Sequence, residues 1–229
     1  MGSDIYAKSF EETGYGEAHL EALKLIGKNK RVLDIGCSTG YFIRAVQENL
    51  GGIIDGIEIN RETARLATKV ARKVYVGSIE DPKLLHQLHE IYDVLLFMDV
   101  LEHCQDPLSV LKNTRPLLSD EGYIIASVPN IANWRMRLGL LMGKFEYEEM
   151  GLLDKTHLRF FTLKSLKKLF QEAGYKIVHL DLTLGGLPPS LKGISKPAKS
   201  NLKIILKKIL HFFPGLFAFQ FIVKAIKNQ

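Results

Sequence analysis

The segment Arg31–Phe42, R-V-L-D-I-G-C-S-T-G-Y-F, constrains this chain more than any other. A short apolar run carries Asp34 near its end, glycines follow at Gly36 and Gly40, and a helix-like stretch starts at once. Strand, glycine bend and helix in that order let a ligand approach bare backbone at a helix N-terminus. The glycine spacing then sorts the ligands. A dinucleotide fingerprint needs glycine at the first, third and sixth positions of the turn. Counted from Gly36, those positions hold Gly36, Ser38 and Tyr41, and Tyr41 would block a pyrophosphate. A P-loop needs Gly-Lys-Ser/Thr, and the bend has none. What remains is D-x-G-x-x-x-G, which is either an ordinary βα turn or a nucleoside pocket of another kind.

A second signal falls where the first predicts it. Gly52–Asn60, G-I-I-D-G-I-E-I-N, reads as a buried strand ending in Glu58, 22 residues after Gly36. That is the distance across one helix to the next parallel strand, and a carboxylate there can accept both hydroxyls of a ribose. The same pattern of apolar runs and helical stretches continues: strands over Val74–Val76, Tyr92–Met98 and Tyr123–Val128, helices over Gly16–Gly27, Tyr41–Leu50, Arg61–Val70, Pro82–Glu90 and Pro107–Leu118. Unalternated Ile, Val and Leu runs fit strands covered on both faces. The expected fold is α/β: a Rossmann-like, doubly wound, mostly parallel sheet with helices on both faces. Ligands in such sheets sit at the carboxyl ends of the strands, where Gly36, Glu58, Ser78 and Asp99 all fall.

Charge and cysteine content narrow the class further. Beyond Asp181 there is no acid but there are eight lysines, so this tail carries +8 and residues 1–181 sum to −2 within a net +6. The basic balance belongs to the tail, whereas a nucleic-acid enzyme would show it around the cleft, so no nucleic-acid partner is expected. Cys37 and Cys104 are the only cysteines, which fits a reducing cytoplasm and offers no cysteine cluster for a metal; no metal site is expected. The first ten residues lack the apolar run of a signal peptide.

The D-x-G-x-x-x-G segment resembles the first motif of class I S-adenosylmethionine-dependent methyltransferases. Asp99–Pro107, D-V-L-E-H-C-Q-D-P, resembles another segment of that family. Ser127-Val128-Pro129-Asn130 and Gly151–Thr162, G-L-L-D-K-T-H-L-R-F-F-T, place the resemblance in its UbiG-like branch, running from about Arg31 to Thr183. It implies a single methyltransferase domain over 1–229, with an N-terminal helical segment (1–30), a substrate-covering insert (131–162) and a basic C-terminal helix and last strand (184–229). It implies S-adenosylmethionine as cofactor and S-adenosylhomocysteine as product. The cofactor residues it implies are Asp34, Gly36, Cys37, Gly40, Glu58, Ile59, Ser78, Ile79, Met98 and Asp99. The family often has an acid where Ser78 stands; here a hydroxyl or the Ile79 backbone would read the adenine, with Glu80 as an alternate, unless Ser78 simply caps the next helix. Ser38 departs from the family's middle glycine and would keep the turn with a negative φ. Two rival classes stand beside this reading: a nicotinamide-dependent oxidoreductase, which the glycine spacing disfavours, and a non-catalytic nucleotide-binding module of the same fold.

Alignment of donor, methyl and acceptor is most of what methyl transfer requires, so no triad is needed. His103 and His157 are the candidate bases for an acceptor hydroxyl, beside Glu102 at the cleft. Arg159 could hold an anionic group; alternatively Asp154, His157 and Arg159 form a structural hydrogen-bonded knot that fixes the loop. The acceptor expected is a small molecule, a glycan, or a lipid- or quinone-type compound. Ile131–Met142 reads as a helix whose Trp134 is expected to pack, with a substrate platform as the alternative, and Gly143–Gly151 as an acidic lid-like loop. Leu163–Ala173 reads as a helix, Tyr175–Thr183 as a sixth strand and Phe217–Ala225 as a last, antiparallel one. Between them, Leu202–Phe213 has apolar residues on one face and Lys203, Lys207 and Lys208 on another. It is either a membrane-surface helix, making the protein cytoplasmic but peripheral, or a helix laid against the sheet. The apolar stretch Ile209–Val223, interrupted by Pro214-Gly215, falls short of the roughly 20 residues that span a bilayer.

Overall fold

A computed structural model describes residues 16–184 and 212–228. Seven strands form one sheet in the order β3-β2-β1-β4-β5-β7-β6. They are β1 (Arg31–Ile35), β2 (Ile53–Glu58), β3 (Lys73–Val76), β4 (Tyr92–Met98), β5 (Leu118–Pro129), β6 (Tyr175–Leu182) and β7 (Gln220–Lys227). The first five run parallel, and β7 is antiparallel to both β5 and β6. This is the doubly wound, Rossmann-like sheet expected from the sequence, with its antiparallel C-terminal strand.

The apolar runs explain the layering. Successive residues of a strand point to opposite faces. Leu33, Ile35, Leu95 and Phe97 therefore join one buried cluster, and Val32, Val94, Leu96 and Met98 join the other. Helix α1 (Glu17–Ile26) packs Ala18, Ala22 and Ile26 into the second cluster, beside Phe42 and Ile43 of α2 (Tyr41–Leu50). On the opposite face, α5 (Pro107–Thr114) and α7 (Leu163–Glu172) pack Val110, Leu111, Leu166 and Phe170 into the first cluster. Winding reverses at β1, which pairs with β2 on one side and β4 on the other. The carboxyl ends of β1, β2 and β4 thus open around one crevice.

Several helices are shorter than their sequence patterns suggest. Helix α3 (Arg61–Ala67) is capped by Asn60, whose side chain accepts from Glu62 N and Thr63 N. It closes in i→i−3 bonds, Lys69 N to Leu66 O and Val70 N to Ala67 O, and does not run on to Val70. Helix α4 keeps only Pro82–Leu85 and tightens in the same way. Its cap is Asp81, not Ser78; Ser78 Oγ instead accepts from Glu80 N. The insert helix α6 (Trp134–Leu141) starts later than expected because Asn133 caps it, and it buries no residue. Trp134, expected to pack, is 41% exposed, with the Arg135 guanidinium over its ring. The last strand begins at Gln220 because Pro214–Phe217 forms a short helical turn, α8. Most of the lysine-bearing stretch Leu202–Phe213 lies outside the described residues. Among the described residues no helix is long and apolar enough to cross a membrane.

The bend after β1 is where backbone conformation matters most. Gly36 N and Cys37 N both donate to Ile57 O, at 2.8 and 3.0 Å, binding the bend to β2. Gly36 has φ +74°, and a Cβ there would meet Val100 Cγ2 at 2.7 Å. Gly40 has φ +80° and would meet Val70 Cγ2 at 2.6 Å. Ser38 corrects the expectation of a negative φ: it stands at +49°. Its N–H donates to Glu58 Oε2 at 2.8 Å, and this charge-assisted bond holds the peptide in the left-handed region. Left-handed backbone costs a side-chain-bearing residue about 1–2 kcal/mol, against about 0.5–1 kcal/mol of extra chain entropy for glycine. Ser38→Gly should therefore raise the unfolding free energy of the ligand-free protein by about 0.5–1 kcal/mol in urea titrations; a loss of stability would contradict this account of the bend.

Candidate active site

One cavity of about 530 Å³ joins the glycine bend to the loops after β2 and β4 and to the insert. Gly36, Ser38, Tyr41 and Glu58 line it from the first crossover. Met98, Asp99, Glu102 and His103 line it from the end of β4 and the 3₁₀ turn Leu101–His103. Met150, Gly151 and His157 come from the insert, and Phe219 and Gln220 from the start of β7. Among these described lining residues there is no lysine or arginine.

Glu58 organises the first end. Its carboxylate accepts from Ser38 N through Oε2 and from Asn60 N through Oε1, both at 2.8 Å. Each carboxylate oxygen can accept more than one bond, so capacity remains for ligand hydroxyls. Asp34, one strand away, is buried; burial first, and the Glu58 charge second, push its carboxyl up to about 8. Tyr41 OH lies 3.3 Å from His19 Nε2 of α1, and burial drives that imidazole down to about 4, so it stays neutral.

Asp99 is the second fixed point. It sits at φ +54°, held by Ser127 of β5: its N–H donates to Ser127 Oγ at 3.0 Å, and that hydroxyl donates back to Asp99 Oδ1 at 2.9 Å. Gln220 Nε2 donates to the same oxygen at 2.9 Å, so the antiparallel strand reaches into the site. Burial raises the Asp99 carboxyl, opposed by the Ser127 bond, the nearby His103 and the Gln220 bond.

The loop after the insert is tied to the turn after β4. Leu158 N and Arg159 N both donate to Glu102 O, at 2.8 and 2.9 Å. This brings the His103 and His157 rings to 4.8 Å between centroids, edge to face. Asp154 Oδ1 accepts from Thr156 N and Thr156 Oγ1, and the Thr156 carbonyl lies 3.1 Å from His103 Nδ1. Arg159 Nε donates to Gln105 O at 3.0 Å. Asp154 and Arg159 therefore brace the loop, while His157 belongs to the cavity wall. Burial first, then His103, lowers the His157 pKa. Glu102 is fully buried, and burial together with the Asp99 charge raises its carboxyl well above the ordinary range.

Of the residues singled out from sequence, Gly36, Glu58, Met98, Asp99, His103 and His157 line this cavity. Asp34, buried in β1, and Gly40, at the end of the bend, do not line it. Cys37 does not line it: its side chain is buried in the core against Gly56. Ile59 is 69% exposed, Ile79 packs in the core, and Ser78 holds its own turn. Residues the sequence reading did not assign to the site are His19, Met150, Phe219 and Gln220, which come from distant segments and carry no local motif, and Gly151, which entered only as the first residue of the Gly151–Thr162 motif. Tyr41 was read as an obstacle to phosphate and as the start of a helix, and Glu102 was placed at the cleft mouth with His103 but given no role of its own.

The comparisons agree with this geometry. Residues 7–180 match a family model described as a methyltransferase domain. A ubiquinone biosynthesis O-methyltransferase from Haemophilus ducreyi is 33% identical over 109 residues, 44% of this chain and 46% of that protein. Its counterpart from Hydrogenovibrio crunogenus is 27% identical over 157 residues, 64% of this chain and 62% of that one. The matched stretch thus spans about half to two thirds of the length of these relatives. Among solved structures, a Thermotoga maritima S-adenosylmethionine-dependent methyltransferase, described as a possible histamine N-methyltransferase, superposes with a TM-score of 0.66 at 19% identity, covering 98% of this chain and 96% of its own. The plantazolicin methyltransferase BpumL, in complex with a desmethyl substrate analogue and S-adenosylhomocysteine, gives 0.63 at 20% identity, covering 99% and 90%. The chain belongs to the methyltransferase-domain family, in the UbiG-like branch of the class I S-adenosylmethionine-dependent enzymes.

Proposed function

We propose that this protein methylates an oxygen of a small acceptor of quinone type, using S-adenosylmethionine. The observation that carries the reading is the lining of the cavity: glycine backbone and the Glu58 carboxylate at one end, the carboxyl groups of Asp99 and Glu102 at the other, and no lysine or arginine among its described walls. A dinucleotide brings a pyrophosphate, and beyond the backbone of the bend this described lining offers it no cation, while Tyr41 crowds its place. A nucleoside bearing a sulfonium and an ammonium suits it. The volume also falls within the range of small-ligand pockets. Glu58 would hold the ribose, and Gly36 with Ser38 would let the donor lie close to the backbone.

When bound, the cofactor supplies a methyl group that is already electrophilic. The chain's residues then position and exclude water. Met98, Phe219 and Met150 provide apolar wall against the reacting carbon. Transfer to oxygen would exchange the donor's C–S bond for a C–O bond, with the electron pair left on sulfur, so the acceptor's hydroxyl proton would have to leave. His157, held neutral by burial, and His103 stand in the same wall to receive it. The ubiquinone pathway named for the relatives, and the exposed insert helix α6, support an acceptor with an apolar body. We also propose peripheral contact with anionic lipid through the Lys203–Lys208 stretch, supported by its sequence pattern alone.

Calorimetry with S-adenosylmethionine, S-adenosylhomocysteine and NAD tests the cofactor assignment. The two adenosyl compounds should bind and NAD should not. Glu58→Ala should weaken S-adenosylhomocysteine by about 1–3 kcal/mol, as for a lost charged hydrogen bond; unchanged affinity in a folded variant would remove Glu58 from the site. Label transfer from methyl-labelled cofactor to catechol- or quinol-type compounds separates turnover from mere binding. Flotation with phosphatidylglycerol vesicles should show salt-sensitive association of the full chain, and its absence would end the lipid reading.

A further inference from the structure

Strand β6 ends the sheet. It pairs with β7 alone, so its other side faces outward. Among the described residues nothing covers that side: a groove of about 540 Å³ runs along it, lined by Lys176, Ile177, Val178, His179 and Leu180 and bounded by Lys167 and Gln171 of α7. An edge of this kind presents unpaired N–H and C=O groups, which proteins commonly guard with a lysine or a bulge. This one has both. Lys176 is exposed, and Val178 is the extra residue of a bulge, since Ile177 lies opposite Ala225 and His179 opposite Lys224.

The bulge changes which residues share a face. Residues directly opposite in an antiparallel ladder point to the same face, and neighbours along a strand alternate. Lys176, His179 and Asp181 lie opposite Ile226, Lys224 and Ile222, and so share one face. Tyr175, Ile177, Leu180 and Leu182 lie opposite Lys227, Ala225, Val223 and Phe221 and share the other, where they pack on the core. The backbone divides in the same way. Thr183 N donates to Gln220 O, and Asn228 N to Gly174 O, toward β7. By alternation from both ends, Tyr175, Ile177, Leu180 and Leu182 turn their polar groups outward. Leu182 N shows this directly, for it is met by the side chain of Asp181, through Oδ1 at 3.0 Å.

We propose that β6 pairs antiparallel with β6 of a second copy of this chain, about a twofold axis that passes between Val178 and His179. Tyr175 then lies opposite Leu182 of the partner subunit, Ile177 opposite Leu180 of the partner subunit, and Lys176 opposite Asp181 of the partner subunit. This register satisfies three conditions together. Opposite residues share a face. Each outward-turned backbone position meets another. Each lysine meets an acid, twice by symmetry. Without the bulge, strict alternation would put Lys176 and Asp181 on different faces, and no such register would exist. The two devices that guard the edge against indiscriminate pairing therefore fit one partner, a copy of the same strand. The pairing uses this edge in both copies, so association through it stops at two. The inference stands apart from the cofactor assignment and does not rest on it.

Sedimentation velocity of the full chain over a series of concentrations tests this. A monomer–dimer equilibrium should appear, and added salt should weaken it. Lys176→Asp sets acid against acid at two symmetric positions and should weaken the dimer about tenfold; Asp181→Lys should do the same with cations. The double exchange Lys176→Asp with Asp181→Lys restores opposite charges at both positions and should bring the affinity back toward that of the wild type. Amide hydrogen exchange gives a reading that needs no variant: the N–H groups of Ile177, Leu180 and Leu182 should exchange more slowly as concentration rises. A chain that stays monomeric at the highest concentration it tolerates overturns the proposal. So does a dimer whose affinity neither single exchange alters, or one whose β6 amides exchange alike at low and high concentration.

Discussion

The Glu58 carboxylate joins the two crossovers on which the site depends. One oxygen holds the N–H of Ser38 in the bend after β1, and the other holds the N–H of Asn60, the cap residue of α3. The bend is a run of left-handed backbone, Gly36, Ser38 and Gly40, and needs an anchor that compensates its strain. A buried carboxylate receiving two backbone N–H groups is such an anchor, and it fixes the distance between the glycine bend and the end of β2. Because those groups use only part of its accepting capacity, the same carboxylate is available to a ribose. Fold and the proposed recognition would then share one side chain.

The remainder of the cavity follows the same economy at the other strand ends. Asp99 is held at a positive φ by Ser127 and Gln220, which couples β4, β5 and β7. Glu102 contributes its backbone carbonyl to the loop that carries His157, and its side chain to the cavity. Acids gather on this edge of the sheet while the described cations stay off its wall. A wall without described cations suits a cationic donor better than a phosphate-bearing one.

Much of this was legible in the sequence because the signals are local. Arg31–Ile35 and Tyr92–Met98 read as buried parallel strands since both faces are apolar. Glu58 was found because one helix separates it from Gly36. Helix ends were less legible: Arg61–Val70 and Pro82–Glu90 both unwind into i→i−3 turns that periodicity does not register. The φ of Ser38 depends on a bond to a residue 20 positions away, so no local rule gives it. Cys37 was placed at the ligand because it lies inside the motif, yet its side chain fills the space beside Gly56 in the core. Gln220 and His19 reach the cavity only through tertiary packing. Glu102, His103 and His157 were placed at the cleft from the sequence, but that they meet in one wall depends on backbone bonds from Leu158 and Arg159, which bring the insert onto the turn after β4.

The central claim is that the glycine bend and Glu58 together form the nucleoside pocket of a methyl-transfer site. A crystal structure of the full chain with S-adenosylhomocysteine tests it most directly. The account predicts ribose hydroxyls on Glu58, backbone of the Gly36–Ser38 bend against the ligand, and the sulfur pointing into the space bounded by Met98, His103 and His157. Density for the ligand elsewhere on the protein, with the Glu58 carboxylate touching only Ser38 and Asn60, would contradict it.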